Sequence, residues 1–293
     1  MRTILVTGAT GKVGTRFVPR LRAALDPRDT VRVLVRDPHR APTGTQVVVG
    51  DLLAPADRAT ALAGVDVVIN LAAAFRGVPD QTARAVNLEA ATALAREASA
   101  AGVRRFVHTS TNLVYGAGLG RPALEGDPTE PSGGFGTYPE IKAAADAELL
   151  ALREALGLDV VILRLAFVYG DGDTHMRDFL PRIAGWAPHR RLPTVHHADV
   201  AQALVRVVRG GGDGRDGRGG PGQSPVYNVG DDVPLTVHEL AALHGLDRPA
   251  AGGVDGAAGD PWEALPDTGL ARRELGYRPL HPTVRAAAEA GAL

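Results

Sequence analysis

The chain opens with a short apolar segment that leads directly into three glycines spaced three residues apart. Thr3–Thr7 is rich in aliphatic and β-branched residues, which is typical of a buried parallel strand, and Gly8, Gly11 and Gly14 follow it at once. Such glycines allow a tight turn whose backbone approaches a phosphate at the positive N-terminus of the next helix. The pattern predicts a strand, turn and helix that bind a dinucleotide, although packing alone also produces glycine-rich turns.

Segments of strand and helix character alternate along the first 165 residues. Aliphatic and β-branched runs predict strands at 30–35, 46–49, 65–70, 105–111 and 159–165. Apolar residues at helical spacing predict helices at 15–25, 56–63, 82–101 and 141–156. Regular alternation at roughly 30 residues per unit is typical of a parallel sheet with helices on both faces. The sequence therefore predicts an α/β fold, a doubly wound parallel sheet of the Rossmann type.

Beyond residue 165 the alternation becomes less regular. The pattern predicts three further elements: helices at 198–209 and 237–244, and a strand at 226–229. Glycine-rich stretches at 210–222 and 252–259 predict flexible surface loops. We interpret residues 1–165 as a dinucleotide-binding domain to which 196–230 returns, and residues 166–293 as mainly a smaller C-terminal substrate-binding lobe.

The composition argues against several classes of function. The chain has 32 Lys and Arg residues against 33 Asp and Glu residues, so no basic excess points to nucleic acid. It has no cysteine, which excludes disulfides, thiolate metal sites and a cysteine nucleophile. No apolar run approaches the ~20 residues of a membrane span, and the first strand leaves no room for a secretory signal. We expect a cytoplasmic protein with no nucleic-acid partner, no membrane partner and no metal site.

Tyr138 and Lys142 are four residues apart near the start of a predicted helix. That spacing places the two side chains one turn apart on the same helix face. A nearby ammonium favours the phenolate, which predicts a tyrosine pKa below its usual value of about 10. Tyr138 is therefore a candidate general acid or base. The alternative is a half-exposed tyrosine beside a surface lysine, because the spacing alone occurs often by chance.

Hydroxyl side chains end the strand predicted at 105–111. Thr109, Ser110 and Thr111 lie at its carboxyl end. In an open α/β sheet that edge is the ligand crevice, so these hydroxyls are expected to face the same site as the Tyr and Lys pair.

Further motifs extend over nearly the whole chain. In order they are Thr7-Gly8-x-x-Gly11-x-x-Gly14, Gly50-Asp51-Leu52, Asn70-Leu71-Ala72-Ala73, Asn87, Ser110-Thr111-x-x-Val114-Tyr115-Gly116, Tyr138-x-x-x-Lys142, Leu163-Arg164-x-x-x-Val168-Tyr169-Gly170, His197-x-Asp199-Val200-Ala201, Tyr227-Asn228-Val229-Gly230 and Leu275-Gly276-Tyr277-x-Pro279. With this set the chain resembles the extended short-chain dehydrogenases/reductases of the NAD-dependent epimerase/dehydratase family.

The resemblance implies roles for the matching residues. In the catalytic triad, Thr111 would hold the substrate oxygen, Tyr138 would exchange the proton, and Lys142 would hold the nicotinamide ribose, which fits hydride transfer at a carbonyl or carbinol carbon. The cofactor-binding residues implied are Gly8, Thr10, Gly11, Lys12, Val13, Gly14, Arg36, Asp51, Leu52, Leu71, Ala72, Ala73, Asn87, Thr109, Tyr138, Lys142, Leu165 and Val168. The substrate-binding residues implied are Phe75, Thr111, Asn112, Phe167 and His175.

The choice of cofactor depends on the residue that ends the second strand. Relatives that prefer NAD have an acidic residue there, whereas this chain has Arg36 followed by Asp37. A guanidinium can bind a 2′-phosphate through two hydrogen bonds and cannot accept one from a ribose hydroxyl. We therefore predict NADP rather than NAD, with NAD as the alternative if Asp37 turns into the site.

Departures from the family pattern narrow the function. Dehydratases carry Asp-Glu directly after the catalytic Thr, where this chain has Asn112 and Leu113, so dehydration by that mechanism is not expected. Phe167 replaces the Asn that nucleotide-sugar enzymes commonly have before Val-Tyr-Gly. These changes favour a small or apolar carbonyl compound or a secondary-metabolite intermediate, and Arg76 could meet an anionic group on it.

Three functions remain open at this point. The first is an NADP-preferring oxidoreductase that reduces a ketone or oxidises the corresponding alcohol. The second is a nucleotide-sugar epimerase that retains NAD and oxidises and re-reduces one carbon. The third is a non-catalytic dinucleotide-binding regulator, against which the complete triad argues. Relatives often form dimers through a four-helix contact, so a homodimer is expected, with the helices predicted at 82–101 and 141–156 at its interface.

Overall fold

The structure is a computed structural model. It describes residues 1–116, 118–131, 135–183, 185–210, 224–246 and 262–293. The loop predicted at 252–259 lies outside the described residues, as does the loop predicted at 210–222 except for Gly210, which ends a helix. No described helix is both long and apolar enough to cross a membrane.

The order of elements follows the predicted alternation. In chain order the described strands are β1 (Thr3–Thr7), β2 (Thr30–Val35), β3 (Gln46–Val49), β4 (Val67–Asn70), β5 (Arg105–Thr111), β6 (Asp159–Leu165), β7 (Phe167–Tyr169), β8 (Arg191–Leu192), β9 (Thr194–His196), β10 (Val226–Val229) and β11 (Leu235–Thr236). The described α-helices are α1 (Lys12–Ala24), α2 (Pro55–Leu62), α3 (Asp80–Arg84), α4 (Ala91–Ala100), α5 (Tyr138–Leu156), α6 (His175–Phe179), α7 (His197–Gly210), α8 (Val237–Leu243), α9 (Gly269–Glu274) and α10 (Val284–Glu289).

A seven-stranded parallel sheet forms the centre of the molecule. Its order is β10-β6-β5-β4-β1-β2-β3, which confirms the predicted doubly wound Rossmann fold. The strand order reverses between β1 and β4, so the ligand crevice is expected at the carboxyl ends of these two strands. The register sets Thr7 opposite Asn70 and Asn70 opposite His108. Three polar side chains therefore lie in adjacent strands at this edge.

Helices cover both faces of the sheet and bury alternate residues of each strand. Ile4 and Val6 of β1 belong to the hydrophobic core beneath α1 and α7, whereas Leu5 belongs to the core beneath α2, α4 and α5. Successive strand side chains point to opposite faces, so an unbroken apolar run indicates burial on both sides. This is why the central strands β1 and β4 have unbroken apolar runs rather than an alternation of polar and apolar residues.

The helix predicted at 82–101 is interrupted. Between α3 and α4 the backbone forms a π-helical stretch, Ala85–Ala90, which contains the fully buried Asn87. Asn87 Oδ1 accepts the N–H of Ala74 at 3.1 Å and its Nδ2 donates to the carbonyl oxygen of Ala74 at 2.7 Å. Asn87 therefore fixes the backbone of the segment after β4, and its predicted contact with the cofactor stays a prediction.

Two predicted helix starts lie three residues too late. α1 begins at Lys12 rather than 15, and α5 begins at Tyr138 rather than 141. Pro139 occupies the first turn of α5, where the missing N–H costs no hydrogen bond and the fixed φ suits a helix. Tyr138 is thus at the N-terminus of the helix that also carries Lys142.

The C-terminal part builds a smaller lobe around its own apolar cluster. Its core includes Tyr169, Met176, Phe179, Leu240 and Val284, contributed by short elements far apart in sequence. The strand β10 and the helix α7 instead join the large sheet, where β10 pairs with β6 and α7 packs against α1. The substrate side of the crevice is thereby formed by segments that leave the sheet after β6.

Candidate active site

One cleft brings most of the predicted site residues together. Its volume is about 860 Å³, and it extends from the glycine turn after β1 to the aromatic side chains of the smaller lobe. All the residues named above for the cofactor and the substrate line it except Asn87 and Lys142, which are buried behind its wall.

The glycine turn forms a backbone cradle at one end of the cleft. Gly8 has a φ of +70°, and a Cβ at this position would lie 2.5 Å from the backbone nitrogen of Ala72. A Cβ on Gly14 would lie 2.6 Å from Ala9 Cα, so the helix approaches the strand only with glycine there. Gly11 precedes α1 and makes no side-chain cap, which leaves first-turn N–H groups for an anion. This cradle fits the pyrophosphate of a dinucleotide.

Lys12 bridges the glycine turn to the smaller lobe. Its Nζ lies 2.7 Å from Asp173 Oδ1, and Asp173 also contacts His197 Nε2 at 3.1 Å and accepts the N–H of His175 at 3.0 Å. Burial alone would raise the pKa of Asp173, but the hydrogen bonds from Lys12 and His197 outweigh it and lower that pKa to about 2. The ammonium of Lys12 is thus partnered by a carboxylate 161 positions away in the sequence, a contact that the sequence did not indicate.

Two arginines face the cleft beyond β2. Arg36 is exposed, and Arg40, which the sequence analysis missed, donates from Nη2 to the carbonyl oxygen of Thr10 at 3.3 Å. The carboxylate of Asp37 accepts the N–H of His39 at 3.0 Å and caps the 3₁₀ turn Pro38–Arg40. The turn directs Arg40 back to the cleft and keeps Asp37 engaged away from it.

Tyr138 lines the cleft at the N-terminus of α5. Burial, and then the Asp146 carboxylate, raise the pKa of the Tyr138 phenol above its usual value, while Arg76 acts in the opposite direction. The predicted lowering of this pKa was wrong, because the net shift is upward and Lys142 is not among its causes. Tyr138 therefore holds its proton at neutral pH and is suited to donate it.

The ammonium of Lys142 is held by two acceptors on β5. Nζ lies 2.9 Å from His108 Nε2 and 2.7 Å from the carbonyl oxygen of Thr109. Burial lowers the pKa of Lys142 to about 8, against the opposing effect of Asp146. Since an ammonium has three N–H donors, one N–H of Lys142 is not used by these two acceptors.

A buried polar chain extends behind Lys142 across three strands. His108 Nδ1 lies 3.1 Å from the amide nitrogen of Asn70, whose oxygen is 2.6 Å from Thr7 Oγ1. Burial, and then Lys142, keep the pKa of His108 well below its usual value, so the imidazole is neutral and carries one N–H. Because Nε2 accepts from Lys142, this N–H is on Nδ1 and needs an acceptor. The Asn70 amide provides one when its carbonyl oxygen faces Nδ1 and its amino group faces Thr7 Oγ1. These buried polar contacts were not predicted, although a His within an apolar strand was a usable signal.

A buried ion pair lies behind Tyr138 and Lys142. Asp146 Oδ2 accepts from Arg164 Nε at 3.0 Å, and Arg164 Nη1 donates to the Tyr115 hydroxyl at 2.9 Å. Asp146 is two turns along α5 from Tyr138, on the same face. Burial raises the pKa of Asp146, while Arg164 acts to lower it. This contact gives the Leu163-Arg164 and Val114-Tyr115 motifs a structural reason.

The side chains of Thr111, which ends β5, and of Asn112, which follows it, already make hydrogen bonds within the protein. Thr111 Oγ1 accepts the N–H of Leu113 at 3.3 Å and caps the turn after the strand. Asn112 is buried and donates from Nδ2 to the carbonyl oxygen of Ala264 at 2.6 Å. Both residues line the cleft, where the amino group of Asn112 is occupied by the backbone and the Thr111 hydroxyl donates to Asn112 Oδ1 at 3.5 Å.

Aromatic rings line the half of the cleft that faces the smaller lobe. The Phe75 and Tyr138 rings have centroids 4.4 Å apart, and Phe167 stacks on His175 at 4.3 Å and on Phe179 at 4.9 Å. Trp186 contacts Phe179 edge to face at 6.2 Å. Trp186 was not predicted at the site, because only the packing of the smaller lobe brings it there. Among the described residues no group of three or more His, Cys, Asp or Glu is placed to hold a metal ion.

Comparison with known proteins decides the family. The model of the NAD dependent epimerase/dehydratase family matches residues 4–230, which is most of the chain. The chain belongs to this family. The residues present fit the NAD that the family's description names: a glycine cradle suits the pyrophosphate, and Tyr138 lines the cleft further along, with Lys142 buried behind it.

Two curated relatives differ in how much of their length they share with the chain. The UDP-glucose 4-epimerase of Vibrio cholerae is 34% identical over 58% of this chain and 53% of its own, so the chain spans about half the length of that relative. The 3-diazoavenalumate denitrifying reductase of a Streptomyces species is 32% identical over 96% of this chain and 97% of its own.

A solved structure of the same fold contains the cofactor. The dTDP-glucose 4,6-dehydratase DesIV from Streptomyces venezuelae, with NAD bound, is 27% identical and has a TM-score of 0.72. The match covers 98% of this chain and 97% of that one.

Proposed function

We propose that this family member is an NADP-preferring reductase of a carbonyl compound, which also oxidises the corresponding alcohol. One observation carries the proposal: a protonated phenol, that of Tyr138, lines the same cleft as the glycine cradle, with the Lys142 ammonium buried behind it. Carbonyl reduction needs a proton donor at the oxygen, and a phenol that keeps its proton at neutral pH provides one.

The residues of this chain divide the work of the reaction. When bound, the reduced dinucleotide supplies the hydride that the carbonyl carbon receives. Tyr138 transfers its proton to the carbonyl oxygen, so that the C=O bond becomes an alcohol. The Thr111 hydroxyl donates a hydrogen bond to that oxygen, and the remaining N–H of Lys142 binds a ribose hydroxyl. The apolar walls at Phe75 and Phe167 exclude water and orient the substrate.

The aromatic walls support a small or secondary-metabolite carbonyl compound as the substrate. Phe167 stacks between His175 and Phe179, which leaves an apolar surface where a sugar would need hydrogen-bond partners. The amino group of Asn112 is also occupied by Ala264. The likeness to a relative described as a denitrifying reductase, matched over 97% of its length, supports a net reduction.

The preference for NADP rests on the two arginines beyond β2. Arg36 and Arg40 both line the cleft where the first strand pair ends, and Asp37 is held in its capping contact. Two guanidinium groups favour a phosphate there. Arg36→Asp should reverse the ratio of the NADPH and NADH dissociation constants, because it removes a phosphate partner and adds a hydroxyl acceptor. Arg177→Asp, an exposed position outside the cleft lining, is the control, and an unchanged ratio in Arg36→Asp contradicts the assignment.

The reaction is tested by screening carbonyl compounds for NADPH consumption and then assaying Tyr138→Phe on any substrate found. Loss of the proton donor should lower kcat by about 10²- to 10⁴-fold with little change in the NADPH dissociation constant. Full turnover by Tyr138→Phe contradicts the role of the phenol.

An epimerase that retains NAD is the second candidate. The sequence identity with the Vibrio UDP-glucose 4-epimerase, which extends over about half of that protein, favours this candidate. An epimerase would be purified with NAD that does not dissociate on gel filtration and would convert a nucleotide sugar without net redox change. Readily dissociable NADPH and stoichiometric NADPH consumption favour the reductase.

A further inference from the structure

A guanidinium group lies between two phenylalanine rings inside the substrate half of the cleft. The Cζ atom of Arg76 is 4.6 Å from the ring centroid of Phe75 and 4.3 Å from that of Phe179. Phe75 is its chain neighbour, whereas Phe179 comes from α6 of the smaller lobe. Each ring face attracts the cation and limits its movement, so the group has a defined place in the cleft.

The donors of this guanidinium are mostly unused within the described part of the chain. A guanidinium carries five N–H donors. The polar contact that Arg76 makes there is between Nη1 and His175 Nε2, at 3.4 Å, and no described carboxylate lies within ion-pair distance of it. By contrast, Arg190 in the same cleft stacks on Trp186 and pairs with Glu263. Arg76 is therefore a half-buried cation whose counter-charge the described residues do not supply.

The backbone holds Arg76 in a conformation that this residue type rarely adopts. Its φ is +51°, in the left-handed region that favours glycine, and Gly77 follows with a φ of +71°. A left-handed φ is unfavourable at a residue with a Cβ, and such residues are concentrated at ligand sites. The two Asn87 contacts to Ala74 fix the backbone just before this turn and so help to hold the strained residue in place.

The position of the cation relative to the proton donor suggests the shape of the ligand. Arg76 packs on one ring, Phe75, and that ring packs on Tyr138. A single ring thus separates the guanidinium from the phenol. A planar ligand that lies along Phe75, with its carbonyl at Tyr138, would present a substituent about one benzene ring further on to Arg76.

We propose that Arg76 binds the carboxylate of an aromatic carbonyl substrate and thereby selects aryl carboxylates among the compounds that the cleft can take. The inference rests on the proposed reductase function for the role of Tyr138, and it adds the substrate class. A carboxylate matches the planar fork of the guanidinium and displaces no existing ion pair. The aromatic walls would cover the rest of the ligand.

The test is a binding measurement that needs no turnover. The probes are 4-acetylbenzoate and 4-acetylbenzamide, which share ring and ketone and differ in charge, titrated calorimetrically into protein saturated with NADP⁺ at pH 7. Wild-type protein should bind the carboxylate at least about tenfold more tightly than the amide, since hydrogen bonds to a charged group are the stronger ones. Arg76→Met should remove that difference and leave the amide affinity unchanged. Arg182→Met removes an exposed cation close enough to Arg76 to affect its pKa but not in the cleft lining, and should behave as wild type.

Several results would overturn the proposal. Equal affinities for the two probes in wild type, or binding of neither, show that the site does not select aryl carboxylates. Equal weakening of both probes in Arg76→Met, with an unchanged NADP⁺ affinity, shows that the side chain only supports the wall. Loss of selectivity in Arg182→Met as well shows a diffuse charge effect. Failure of the proposed reductase function would show in the activity assay instead, where Tyr138→Phe would consume NADPH as fast as the wild-type protein.

Discussion

Replacing His108 by Leu should move the titration of Lys142 to lower pH. His108 Nε2 is one of the two protein acceptors of the buried ammonium, and the second, the carbonyl oxygen of Thr109, remains. A hydrogen bond to a charged group contributes about 1.5–3 kcal/mol, and each pKa unit corresponds to about 1.4 kcal/mol. The pKa of Lys142 is about 8 in the wild-type protein. It should therefore fall by about one to two pH units, to about 7 or below.

The assay is the dissociation constant of NADPH as a function of pH, measured by energy transfer from protein tryptophan to the bound dihydronicotinamide. Deprotonation of Lys142 removes a charged donor from the ribose, so wild-type affinity should weaken as the pH rises through about 8. In His108→Leu the weakening should begin about one to two pH units lower. Lys142→Met should show no such step, which identifies the titrating group.

His108→Gln separates the electrostatic effect from damage to the fold. Leu leaves Asn70 without its partner and should also lower the melting temperature, whereas a Gln amide can offer an oxygen to Lys142 and restore the wild-type midpoint. If the midpoint in His108→Leu equals that of wild type, the imidazole does not support the ammonium and the reasoning fails.

Two further changes test the cradle and a buried carboxyl. Gly8→Ala should destabilise the fold by more than about 2 kcal/mol and abolish NADPH binding, because it combines a left-handed φ with a backbone clash at Ala72. The control is Gly64→Ala, which has a similar φ but open space around it and should cost only about 1–2 kcal/mol in a thermal melt. Equal losses of stability in the two variants would refute the steric argument. Burial raises the pKa of Asp231 to about 7, so its stabilising contribution is complete below the unfolded value of about 4 and is lost as the pH rises through about 7. Asp231→Asn should therefore melt at a higher temperature than wild type at pH 8, with a difference that narrows towards pH 4, and a pH-independent difference would contradict the assignment.

The sheet could be predicted closely because its strands are determined locally. The predicted and observed bounds coincide for Thr30–Val35, Arg105–Thr111, Asp159–Leu165 and Val226–Val229. Each is a run of apolar and β-branched residues bounded by turn-forming ones, and burial on both faces requires such a run. The glycine turn likewise follows from a steric requirement that any chain with this strand and helix must meet.

The parts that could not be predicted depend on contacts between distant residues. The π-helical stretch forms where Asn87 reaches both backbone groups of Ala74. The raised pKa of Tyr138 follows from burial and from Asp146, two turns along the same helix, and helical spacing alone suggested the opposite sign. The spacing correctly predicted that Tyr138 and Lys142 share one helix, but the ammonium of Lys142 is bound by acceptors on β5.

The salt bridge between Lys12 and Asp173 connects the two halves of the cleft. At one end it is anchored in the turn that fits a pyrophosphate, and at the other its carboxylate receives the backbone N–H of His175 on the substrate side. A nucleotide held at the turn and a ligand beside His175 would therefore both lie next to the same ion pair.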